Sequence, residues 1–292
     1  MKDQFNKGLL LTSLGSFWWG FIGVIYFQYV SFIGHIELVV HRCLWTAVML
    51  LLTTTFFSKW SLFKRIIKNK NYLFGLFISG FLIFINWAVW IYAVATERII
   101  DASFGYFIMP IISVLLGYIF FKEKLNKKRI FSIILVSISI LILIFFNLKS
   151  LPWVGLIVAF SWAFYNLIRK KIDVDTDIGL LIESLYILPF ALVVFYLITK
   201  AGVNDFSFSN AGLSLFLILA GPMTVIPLFL YVRGVELIGL GPTGMIFYIT
   251  PTLQFILGYF YYNEDFSIIK FVSFIIIWIA VIIYLKDLYE TN

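Results

Sequence analysis

Apolar positions along this chain come in blocks of about 20 residues, separated by short stretches that collect nearly all of the charge. An α-helix rises 1.5 Å per residue, so about 20 residues span the roughly 30 Å of hydrocarbon in a bilayer. The blocks predict helices near residues 8 to 27, 37 to 57, 72 to 95, 102 to 121, 129 to 147, 151 to 169, 178 to 199, 211 to 232, 238 to 262 and 267 to 285. Strand-period alternation is missing from them, which argues for helices that satisfy their own backbone bonds and against a barrel. The first block has no small-residue cleavage site and is read as an uncleaved helix, not a signal peptide. The longest connections, around residues 58 to 71 and 200 to 210, are too short to bury a core of their own.

Composition turns this pattern into a statement about solvent. Of the 292 residues, 62% are hydrophobic and 13% charged, which leaves too little polar surface to face water. The net charge of +7 does not point to nucleic acid, because the charges lie between the hydrophobic blocks. Of the 22 Lys and Arg residues, 17 fall on segments that are inside if the N-terminus is cytoplasmic, 4 fall outside, and Arg42 lies within a helix. That asymmetry predicts ten spans with both termini in the cytoplasm. The single Cys43 excludes an intrachain disulfide or a cysteine metal cluster.

An internal repeat organises the spans. With an offset of 141 residues, ASFGYFIMPIISVLLGYIFFKEKL from Ala102 lies over TGMIFYITPTLQFILGYFYYNEDF from Thr243. Pro110 meets Pro251, Gly117 meets Gly258 and Glu123 meets Glu264; the same offset pairs Gly80 with Gly221 and Trp90 with Tyr231. Hydrophobicity alone does not explain matched Pro, Gly and Glu, so the chain reads as a duplication, residues 1–149 and 150–292. Five spans per half is an odd number, so the halves cross the bilayer in opposite senses. The fold expected is an all-α membrane protein of ten transmembrane helices in two inverted five-helix repeats.

In such bundles the site is marked by Gly- or Pro-interrupted segments recurring in both halves. Pro110 and Pro251 each free a carbonyl about one turn earlier; Gly221, Pro222 and Pro227 interrupt the eighth span, so these five are the expected kink or gating positions. Charge inside a membrane is expensive and is a functional hypothesis by default. His41 and Arg42 sit about a third of the way into the second span from the outside, and Glu183 at a comparable depth from the inside of the seventh. An offset of 142 sets Glu183 against His41. Arg42 can grip a carboxylate with its fork or can lock helix packing; Glu183 can hold an amine, a coupling proton or a neighbouring helix. Trp19, Trp45, Trp87, Trp90, Tyr106, Trp162, Phe247 and Tyr248 fall within spans, where rings either pack or line a cavity for an apolar, aromatic or cationic substrate. Asn86, Asn166 and Thr250 can supply orienting hydrogen bonds.

No GxxxxGK[ST] loop or HExxH is present, and two His exclude a histidine-rich metal centre. No metal or cofactor is expected, and ATP-driven transport by this chain alone is disfavoured.

The duplicated helices, the opening GLLLTSLGSFWWGFIGVIYF, EL..HRCLW at 37 to 45 and ESLYILPFAL at 183 to 192 resemble the drug/metabolite transporter superfamily with its EamA-type repeats, and within it the RarD group. The resemblance covers essentially the whole chain. It implies a cavity formed mainly by spans three, four, eight and nine with help from one, two, six and seven, alternating access, and the bacterial inner membrane; it does not settle a substrate. The leading expectation is a secondary transporter for a small organic metabolite, in its sharpest form an amino acid or similar zwitterion with an apolar or aromatic side chain. Membrane lipid surrounds it, and a proton or a counter-substrate drives it. The alternatives are an exporter of lipophilic or quaternary cations, a membrane enzyme acting on lipid head groups, and a non-transporting receptor.

Overall fold

The computed structural model describes residues 2–95, 99–147, 153–172, 174–261 and 268–291, and every regular element within them is helical. α1 (Lys2–Phe17) continues through a π-helical turn at Trp18–Ile22 into α2 (Gly23–Tyr29), and α3 (His35–Phe56) follows. The short α4 (Trp60–Ile66) precedes α5 (Lys70–Ala95), α6 (Ile99–Phe121) and α7 (Lys127–Asn147). The second half holds α8 (Trp153–Lys171), α9 (Thr176–Lys200), α10 (Ala211–Ile238), α11 (Leu240–Ile246), α12 (Ile249–Phe260) and α13 (Ile268–Thr291). Among the described residues, seven helical stretches are long and apolar enough to cross a membrane, and Gly105–Phe121 is a shorter apolar one. Large apolar side chains stand outward on them, Phe56 at 82%, Phe145 at 80% and Phe190 at 72% exposed, a surface suited to lipid.

Local chemistry sets the helix ends. Asn69 Oδ1 accepts the backbone N–H groups of Asn71 and Tyr72 at the start of α5, Asn126 that of Arg129 at α7, and Asn210 that of Leu213 at α10. Each cap satisfies donors that the first helical turn leaves unpaired.

Three departures from the sequence reading have physical causes. The predicted connection at 58 to 71 contains α4, whose Trp60, Leu62 and Phe63 give it an apolar side too short to register as a block. The predicted ninth span, 238 to 262, is two helices. Pro251 has no N–H for the Phe247 carbonyl, and the chain tightens there, with Thr250 N–H donating to Phe247 O at 2.9 Å. The eighth span, expected to be interrupted, is the continuous α10 through both Pro222 and Pro227, and α6 likewise runs through Pro110. The carbonyl freed by a proline does not end a helix that its neighbours hold in place.

Packing obeys the duplication. α1 lies on α10 as α8 lies on α5, and α3 lies on α10 as α9 lies on α5. α6 meets α8, and α12 meets the π turn of the first rod, while α3 pairs with α9, α7 with α13 and α6 with α11. Exchanging the halves leaves this set of neighbours unchanged, as a two-fold axis requires. Residues related by the 141-residue offset touch on the axis: the Tyr248 hydroxyl donates to the Phe107 carbonyl at 2.7 Å, and the Tyr106 and Phe247 rings are 5.8 Å apart.

Glycines set the register. A Cβ at Gly80 would meet the backbone of Glu183 at 3.3 Å, and one at Gly221 would meet the Trp45 carbonyl at 2.5 Å. Gly80 and Gly221 are repeat mates, so the counterpart of Glu183 is Trp45, one helical turn from the His41 expected. Apolar helices align almost equally well when slid by a turn, and only close backbone approach discriminates.

Candidate functional site between the two halves

Arg42 projects from α3, 7% exposed, between rings from two other elements. Its guanidinium carbon lies 4.5 Å from the centre of Trp87 on α5 and 5.3 Å from that of Phe27 on α2. Nε donates to the Thr224 hydroxyl on α10 at 3.0 Å, and that hydroxyl passes its own proton to the Ala220 carbonyl at 2.8 Å. Nε makes the only protein hydrogen bond of this side chain among the described residues, and no described carboxylate lies within ion-pair distance of it. Ring faces offset part of the cost of burying the cation; its two terminal nitrogens keep their donors for something else.

Glu183 on α9 is 2% exposed and is engaged by three protein side chains. Ser79 donates to Oε1 at 2.5 Å and Tyr165 to Oε2 at 3.2 Å. Arg169 Nε stands 3.5 Å from Oε1. Arg169 is completely buried and also reaches the Thr176 carbonyl at 3.2 Å and Glu236 at 4.0 Å. A Cβ at Gly179 would collide with this guanidinium, so glycine there makes its room. The sequence reading assigned Arg169 to the flanking charges of its span. The signal was present: Trp162, Tyr165, Asn166 and Arg169 are spaced three and four apart and share one buried face of α8.

The remaining predicted residues divide into two groups. Trp19, Trp162, Tyr231, Phe247 and Tyr106 form a continuous aromatic cluster drawn from both halves, with Trp19 and Trp162 edge to face at 5.2 Å and Tyr231 5.5 Å from both Trp162 and Phe247. Trp90 meets Phe27 at 5.6 Å on the side of Arg42. The others hold helices together. Asn86 donates to the Val158 carbonyl and the Ser161 hydroxyl. Thr250 donates to the Ser16 carbonyl, Asn166 to the Trp162 carbonyl of its own helix, and Tyr248 lies on the axis. His41 faces away from Arg42: it accepts a hydrogen bond from Trp45 at 3.0 Å and lies 3.4 Å from Glu37, whose carboxylate takes the Asp205 and Phe206 N–H groups. That stripe fastens the 205–206 segment to α3.

Beside Glu183 lies a partly enclosed cavity of about 10 Å³, the smallest space that admits one water molecule. Trp87, the ring under Arg42, is on its wall, and so are Glu183, Ser184 and Thr46. At one end of the bundle Glu123 accepts the Leu240 and Gly241 N–H groups at 2.8 and 2.9 Å and pairs with Lys170 at 3.2 Å. Gly239, at φ 95°, turns the chain to present those donors. The repeat mate of Glu123, Glu264, lies outside the described residues.

The model of the EamA-like transporter family matches residues 6–145 and again 150–286. The chain belongs to the EamA-like transporter family. Protein RarD of Escherichia coli K12 is 33% identical over 289 residues, covering 99% of this chain and 97% of that protein. The Bacillus subtilis transporter YojE is 33% identical over 282 residues, 96% and 93% of the two chains. A crystal structure of another protein, 11% identical, superposes with a TM-score of 0.72 over 96% of this chain and 97% of that one, a likeness of fold alone. The resemblance to the RarD group thus extends over the full chain, and the protein is a multi-pass membrane transporter of the EamA-like family.

Proposed function

We propose that this EamA-like protein is a secondary transporter for a small organic metabolite bearing a carboxylate, moved across the bacterial inner membrane by alternating access. In the sharpest form the substrate is an amino acid or similar zwitterion with an apolar or aromatic side chain. The observation that carries the reading is Arg42: a buried guanidinium between two ring faces, with both terminal nitrogens uncommitted and no acid beside it among the described residues. A planar fork in that state is suited to a bidentate carboxylate, and Trp87, Trp90 and Phe27 offer apolar surface to the rest of the molecule. Glu183, hydrogen-bonded by Ser79 and Tyr165 and faced by Arg169 at 3.5 Å, already has a counter-charge and is poorly placed to receive a substrate amine.

Ten spans with both termini cytoplasmic, divided as residues 1–149 and 150–292, complete the proposal. On that orientation the Lys170–Glu123, Lys59–Asp177 and Arg129–Asp287 pairs close the cytoplasmic face.

The test starts with a thermal-shift panel of amino acids, nucleosides, vitamins and quaternary amines on the purified protein, since a ligand that prefers the folded state raises its apparent stability. A carboxylate ligand found there is then followed as flux into proteoliposomes, where Arg42→Ala abolishes uptake while the protein stays folded. Normal flux in that variant retires the carboxylate role. The aromatic cluster around Trp162 supports a second reading, export of lipophilic cations held over ring faces. Stabilisation by quaternary amines, with silence from every carboxylate, favours it.

A further inference from the structure

Arg169 stands between two carboxylates and completes its hydrogen bonding with neither. Nε faces Glu183 at 3.5 Å and Nη2 faces Glu236 at 4.0 Å, while Nε and Nη1 have no hydrogen-bond partner inside a side chain that is entirely buried. Such a guanidinium has two natural positions. It can neutralise Glu183, or it can commit to Glu236 and the Thr176 carbonyl, and the charge on Glu183 selects between them.

The cavity beside Glu183 supplies the second observation. Thr46 lines it, is 3% exposed, and its hydroxyl has no hydrogen-bond partner. A buried hydroxyl without a partner, in a space the size of one water molecule with a carboxylate on its wall, is the signature of a water site. Trp87 also lines that space and is the ring on which Arg42 rests.

We propose that Glu183 is the coupling-proton site of this transporter, that Arg169 is the switch that answers its charge, and that water beside Thr46 carries the proton between this site and the substrate side. The step is a simple protonation: a hydronium ion in the cavity gives its proton to a Glu183 oxygen and leaves as water. Before it, Arg169 and Arg233 balance Glu183 and Glu236; after it, the cluster carries one extra positive charge, and Arg169 shifts to Glu236. The groups facing Glu183 from the surrounding helices are Ser79 on α5 and Tyr165 and Arg169 on α8, with Thr46 of α3 on the same cavity; beyond Arg169 lies Glu236 on α10, which pairs with Arg233, and Asp177 is already paired with Lys59. Releasing Glu183 from Arg169 leaves Tyr165 as the link from α8 to that carboxyl, and a bound proton thereby weakens the contact between α8 and α9. The idea rests on the transporter reading, but not on which substrate Arg42 takes.

The experiment needs protons alone. Infrared spectra of the purified protein are recorded through an acid titration, and a protonated carboxyl band present in the natural chain disappears in Glu183→Gln and persists in Glu236→Gln and Arg42→Ala. A band that survives Glu183→Gln overturns the proposal. A second readout replaces Cys43 with Ala and follows alkylation of Ser184→Cys by a water-soluble maleimide. Divided by the rate for an exposed cysteine at the same pH, which removes the fall in thiolate, the rate rises several-fold on acidification, and adding Glu183→Gln abolishes that rise; a rise that survives Glu183→Gln overturns the switch. Thr46→Val, which leaves every charge in place, shifts the midpoint of the carboxyl band, and an unmoved midpoint removes the water route. Because no substrate is present, a failure here is distinct from normal flux in Arg42→Ala, which would strike the carboxylate reading instead.

Discussion

Two arginines lie buried in this bundle under opposite regimes. Arg169 is closed in by Glu183 and Glu236, whereas Arg42 has rings and one hydroxyl around it and no described acid. Burying a charge is costly in either place. At Arg169 the protein supplies the counter-charge itself; at Arg42 the described residues supply none. The repeat sharpens the contrast, since Gly80 and Gly221 occupy matching positions yet face Glu183 in one interface and Trp45 in the other. The duplicated scaffold is symmetric, and its buried charges are not.

The largest effect that tests this comparison is on stability. Arg169→Ala leaves Glu183 buried beside no cation, a loss of about 3–5 kcal/mol in thermal unfolding of the purified protein. Glu183→Gln added to that variant removes the orphaned charge and recovers most of the loss, because the two groups act as one unit. Arg42→Ala moves stability by only about 1 kcal/mol, since ring contacts worth about 0.5–2 kcal/mol are lost along with a desolvation cost. Equal losses at the two arginines would show that Arg42 is a structural pin after all.

The next effect is on ligand affinity. Trp87→Leu keeps an apolar side chain and takes away the ring face 4.5 Å from the guanidinium. With a carboxylate ligand in hand, its Kd by calorimetry rises about tenfold, the equivalent of about 1.4 kcal/mol.

The parts of the molecule that were legible in the sequence are those written in local patterns. Apolar blocks gave the long helices, and matched Pro, Gly and Glu residues gave the duplication. α4 was not visible because seven residues are too few for a block; Pro251 was legible as a kink, but not that it divides its span into α11 and α12 while Pro110, its mate, leaves α6 continuous. Arg42 and Glu183 stood out as charges in apolar surroundings, but their environments are built from distant segments: Thr224 is 182 residues from Arg42, and Ser79 is 104 from Glu183. No local pattern announces such partners. Arg169 hid in a run of basic residues that reads as a membrane flank, and only its helical phase relative to Trp162 and Tyr165 distinguishes it from Lys170 and Lys171.

The smallest predicted effect isolates a single hydrogen bond. Thr224 serves Arg42 because its oxygen accepts from Nε while its proton is spent on Ala220, so the lone pair is aimed at the guanidinium. Valine has nearly the same shape and no acceptor. Thr224→Val therefore leaves packing intact, adds an unmet donor and frees the fork to tilt, costing about 1 kcal/mol, or about fivefold in Kd for a carboxylate ligand. The matching hydroxyl at the other site is Ser79, which donates to Glu183. Ser79→Ala removes a bond to a charge the protein already balances, so it lowers the unfolding temperature and leaves that Kd unchanged. The reverse outcome, with affinity following Ser79 and not Thr224, would place the carboxylate partner at Arg169 and exchange the roles of the two arginines.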